Sequence, residues 1–176
     1  LELISLAPED RALCTALVYG YFRFKNRIDY ILSVFLKKPE RMPGEVLTAM
    51  GLAVFEILQM DRIPEYASVS WTAGFAKSVY GSGISGVVNA VFRNVCRNST
   101  GEPDFFQKDN PDRIIFWSRY YSCPQWMVKL WEDQIGEEKT LAMLESSIRP
   151  APPGLRLESP FAKEKSGFKN EDILAG

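Results

Sequence analysis

The chain has 176 residues, 46% of them hydrophobic, which suits one domain with a substantial core or a domain plus a tail. Its formal net charge is −1, so the molecule as a whole offers no attraction to nucleic acid. There is no histidine, which removes the commonest general base and the commonest zinc ligand, and no apolar run approaches the roughly 20 residues of a membrane helix.

The chain opens on Leu1 rather than Met, and residues before it are expected. No signal peptide is visible. Pro8-Glu9-Asp10 suits the first turn of a helix, where carboxylates favour the positive end of the dipole. That helix is predicted to run to about Phe24, with Leu13, Leu17 and Tyr21 on one face. After a turn at Lys25-Asn26, Ile28, Ile31, Leu32 and Phe35 predict a second helix over 27–36, closed by Lys37-Lys38-Pro39. A long central helix over 44–60 carries Leu47, Met50, Val54, Ile57 and Leu58, and Gly51 and Ala53 within it suggest close helix approach. Ile63 before Pro64 stops it, and Ser68 is the expected cap of the next helix.

Gly81-Ser82-Gly83 then breaks the chain before a helix with Ile84, Val87, Val88, Val91 and Val95 as its apolar stripe. Its other face carries Asn89, Arg93 and Arg97, one turn apart each. Residues 98–103 form a loop, 111–121 are too apolar to stay in water, and two short helices over 124–135 and 137–146 meet at Gly136. The predicted architecture is an all-α bundle of about eight helices over 1–147. Residues 148–176 are a proline-containing linker and polar, extended C-terminal tail, with Leu155-Arg156-Leu157 as a possible short strand.

Charge is unevenly spread. Residues 20–41 hold six basic side chains (Arg23, Lys25, Arg27, Lys37, Lys38, Arg41) against Asp29 and Glu40. This is the largest local excess, and it is the expected seat of phosphate contacts, with Arg93 and Arg97 as a second basic edge. The plain alternative for each is a solvated charge, and for Asn89 a bond to a helix carbonyl. Trp71, Trp117, Trp126 and Trp131 are candidates for base stacking or for packing, with Trp126 and Trp131 expected to point inward. Cys14, Cys96 and Cys123 are odd in number and far apart, which reads as a reduced cytoplasmic chain. No catalytic or metal-ligating set emerges.

Several segments together resemble the NusB-type RNA-binding fold, in the form found at the front of the Sun/Fmu family of ribosomal RNA cytosine-5 methyltransferases. They are Asp10-Arg11-Ala12-Leu13 with Leu17-Val18-Tyr19-Gly20, then Ile28-Asp29, then 58–64, then Ala76-Lys77, then 86–93, then 124–128. The resemblance spans roughly residues 6–157. It implies an RNA-binding, substrate-positioning domain that is not catalytic by itself. In that family a cysteine nucleophile and S-adenosylmethionine act in a downstream Rossmann-like domain. Cys123-Pro124 reverses the family's Pro-Cys order and lies elsewhere in the chain. Where the family usually has an acidic residue, after Asn or Asp, this chain has Trp71 after Ser70, which points to a hydrophobic contact surface. The resemblance also admits a free-standing antitermination factor that binds RNA and a ribosomal protein, whose arginine-rich first helix would precede residue 1. A third reading is a helical adaptor without RNA.

Overall fold

A computed structural model describes residues 7–98 and 100–149; the possible strand at 155–157 and the polar tail lie outside them. Among the described residues the fold is helical, without strands. The helices are α1 (Pro8–Arg23), α2 (Lys25–Phe35), α3 (Gly44–Gln59), α4 (Glu65–Tyr80), α5 (Ser82–Arg97), α6 (Arg113–Tyr120), α7 (Gln125–Ile135) and α8 (Glu137–Ser147). Short 3-10 turns at Pro39–Arg41 and Pro103–Phe106 link them.

Most of the core is built where the apolar periods predict it, but Val87 of the expected α5 stripe is exposed, and Val46 and Phe92 join the core beside the predicted positions. Val46, Met50 and Val54 of α3, Ile28 and Ile31 of α2, and Val88, Phe92 and Val95 of α5 are almost wholly removed from water. Each such side chain contributes about 1.5–3 kcal/mol through burial. α1 lies close on α3 because both present a glycine at the crossing. A Cβ at Gly51 would stand 2.6 Å from Tyr21 Cε2, and one at Gly20 would run into the Phe55 ring. A second, smaller core joins α6, α7 and α8 through Trp117, Cys123, Val128 and Leu144.

Gly81, at φ 85°, reverses the chain between α4 and α5, a left-handed backbone that L side chains rarely adopt. The helix restarts at Ser82, so Gly83 lies inside α5. Ser85 Oγ donates to the Ala73 carbonyl at 2.9 Å and pins the register of this hairpin. Ser68 is a correction. α4 begins at Glu65 behind Pro64, which places Ser68 inside the helix and buried, with no capping bond. Leu13, Cys14 and Cys96 reach the surface rather than the core. Trp126 is also a correction: it sits at the start of α7 with 65% of its surface exposed, while Trp131 packs half-buried on the smaller core.

Candidate nucleic-acid interface

The 16 residues of α5 include no Asp or Glu. Ser85, Val88, Phe92 and Val95 face the core. Asn89, Arg93 and Arg97 rise on the exposed side, each about 6 Å along the axis from the last. Asn89 Nδ2 donates to the Ser85 carbonyl at 3.0 Å, so part of its amide is spent within the helix.

A groove runs along each flank of α5. The first, about 830 Å³, lies against α4 and is lined by Glu65, Tyr66, Ser70, Lys77, Asn89 and Arg93 among others. Its floor includes Phe92 and Ala73. Partial burial, and then the neighbouring Glu65 carboxylate, push the Cys96 thiol up. The second groove, about 430 Å³, lies between α5 and the end of α2, with Lys37, Lys38 and Arg41 on its rim and Ile84, Val87 and Ala90 on its wall. Among the described residues, none of Arg93, Arg97, Lys37, Lys38 or Arg41 is engaged in an ion pair.

The basic segment 20–41 does not act as one patch. Ten residues of helix, about 15 Å, separate Lys25 from Phe35, so the cations before α2 stand apart from those after it. Arg23 ends α1 and lines a different groove with Gly20, Phe55 and Ile148. Lys25 is bound to Asp29 at 2.6 Å. Arg27 corrects the sequence-based expectation of a phosphate contact: it is 6% exposed. Its guanidinium donates to the Gly101 carbonyl at 2.6 Å and stacks over Tyr120 and Phe106, 4.6 and 5.2 Å from the ring centroids. Burial lowers its pKa from the usual arginine value. Such a cation ties α2 to the C-terminal helices rather than meeting a ligand.

Three participants lack a strong signal in the sequence. Lys77 and Tyr66 on α4 join Arg93 only because the hairpin folds back. Ser122, at φ 56°, caps α2 from 95 residues away: its hydroxyl accepts from the Asn26 and Arg27 amides at 2.9 and 3.3 Å. Trp71 is 63% exposed and stacks on Phe75 with centroids 5.9 Å apart. It lies on the far side of α4, beside Leu17, Leu52 and Glu56.

The chain is similar to known proteins. The model of the NusB family matches residues 1–97, ending with α5. A Bacillus subtilis (strain 168) protein named "Probable ribosomal RNA small subunit methyltransferase B" is 30% identical over 86% of this chain and 33% of its own length. The Vibrio vulnificus (strain YJ016) "Ribosomal RNA small subunit methyltransferase B" is 28% identical over 87% of the chain and 34% of its own length. The Rhodospirillum rubrum "Transcription antitermination protein NusB" is 27% identical over 57% of the chain and 56% of its own length. The chain thus spans about a third of the length of the methyltransferase relatives it matches. No solved structure matches it.

Proposed function

The chain belongs to the NusB family, and from that premise we propose that it is an RNA-binding domain that positions ribosomal RNA for a cytosine-5 methyltransferase half carried by the same protein. Residues 1–147 form the RNA-binding unit in this reading, and 148–176 lead towards the catalytic half. The observation that carries it is the exposed face of α5. This face has two arginines and no acid, and lies between one flank bearing Lys77 and another bearing Lys37, Lys38 and Arg41. Phosphates meet such a face with release of counterions. In this reading S-adenosylmethionine is left to the catalytic half. That cofactor would supply the methyl group in the remaining two thirds of the relatives' length. Among the described residues no helix is long and apolar enough to cross a membrane.

Anisotropy titrations with labelled small-subunit ribosomal RNA fragments test the reading across about 50–200 mM salt. Four to six contacts on single strands give a slope of log affinity against log salt of roughly −3 to −4. Absence of binding at the low end would move the assignment to a helical adaptor. The finer part is tested by reading the coding sequence past Gly176. A methyltransferase domain there supports it. A stop codon would favour a free-standing antitermination factor, a reading supported by the NusB relative, which aligns over more than half of both chains.

A further inference from the structure

We propose that the groove between α4 and α5 seats a short unpaired stretch of RNA, and that its Glu65–Tyr66–Asn89 end takes a base bearing an exocyclic amine. This rests on the RNA-binding reading and adds the place and the chemistry. The pinned pair Ser85–Ala73 sets the two antiparallel helices in register, so that Arg93 stands level with Glu65 and Asn89 lies one turn further in. Lys77 stands near the Gly81 turn, about 18 Å along the axis from Glu65. The groove therefore has a cation at each end for successive phosphates and an apolar floor of Val69, Ala73 and Phe92 between them.

The base would stack on Tyr66, whose ring is 77% exposed and has no aromatic partner among the described residues. Two acceptors stand beside it. Glu65 neighbours the Cys96 thiol and is in no ion pair among the described residues. Asn89 donates Nδ2 to its own helix, and its Oδ1 makes no hydrogen bond among the described residues. An acceptor pair favours an amine edge, that of cytosine or adenine and still more the adjacent N1–H and N2 amine of guanine, over the carbonyl edge of uracil. Paired bases already spend those edges within the duplex, so the seat reads single strands.

The test uses the whole chain and labelled oligomers of about six nucleotides, of C, of A and of U, beside a ribosomal RNA fragment. The C and A oligomers should bind about fivefold or more tightly than U, in line with one good base-edge contact. Tyr66→Ala should weaken the C oligomer by about tenfold. Glu65→Ala should bring C and U within about twofold of each other. Both side chains are exposed, and an unchanged circular dichroism spectrum will show that the variants fold. Binding of the ribosomal fragment with no base preference, and with both variants unaltered, would overturn the seat and leave RNA binding standing. No binding of any RNA at about 50 mM salt would overturn both.

Discussion

Arg27 and the pair Arg93–Arg97 are the same kind of residue in opposite surroundings. Arg27 is enclosed by Tyr120, Phe106 and the Gly101 carbonyl, and its charge serves to hold α2 against the C-terminal helices. Arg93 and Arg97 stand on a helix face without acids and are in no ion pair among the described residues. The difference arises at Phe24, which ends α1 and begins α2. Arg23 and Arg27 look like neighbours on one helix face, but they belong to two helices that diverge there. A basic residue's meaning is thus set by which layer its helix offers to the rest of the chain.

The sharpest way to break this contrast is to truncate each side. Arg27→Ala removes the side-chain donor to the Gly101 carbonyl and leaves a void between two rings. It should cost about 2–4 kcal/mol of stability, read as a lower urea midpoint at unchanged slope. RNA affinity of the folded fraction should stay the same. The converse holds for Arg93→Glu with Arg97→Glu. Stability should move by no more than about 0.5 kcal/mol, while RNA affinity falls by about tenfold and the salt slope flattens by about 1.4 for two lost contacts.

Ser122 sharpens the structural side. Ser122→Ala leaves two amides of α2 uncapped and should cost about 1 kcal/mol. Ser122→Gly loses the same bonds but suits φ 56°, so it should cost less than the alanine variant in the same denaturation assay.

The smallest effect lies at Asp109, which joins the same aromatic cluster from its exposed rim. Bonds from Arg119 at 2.7 and 3.0 Å and from the Tyr30 hydroxyl at 2.8 Å hold its carboxyl below the usual range. Burial, and then this bond, push the Tyr30 hydroxyl up to about 12. A depressed carboxylate stabilises the fold above its unfolded pKa and loses that contribution as pH falls through the folded value. Asp109→Asn should therefore be less stable than the natural chain at neutral pH by under about 1 kcal/mol, with the gap closing below about pH 4. A gap that does not narrow at all as pH falls below about 4 would break the assignment.

Much of the fold was legible because local rules and burial agree here. Apolar residues at helical spacing gave α3 and α5, Pro64 and Gly81 gave the breaks, and Gly51 announced a close crossing that Tyr21 fills. The exposed line Asn89–Arg93–Arg97 was legible for the same reason, since positions four apart on one helix share a face wherever that helix packs. Trp126 and Ser68 went astray because each was read from its neighbours alone. An aromatic ring at the start of α7 is exposed when the core lies on the helix's other side, and a serine four residues into a helix has no free amide to cap.

By itself, then, the sequence determined which segments are helical, where they turn and most of the stripe each buries, since those depend on contacts a few residues apart. Tertiary structure alone decided what the charges are for. It took Arg27 out of water, split the basic segment about the length of α2, and set Lys77 and Tyr66 beside Arg93. It also recruited Ser122 to cap a helix 95 residues away. Such pairings depend on how helices stack across long stretches of chain, and the environment of a charge depends on every element that stacking brings near.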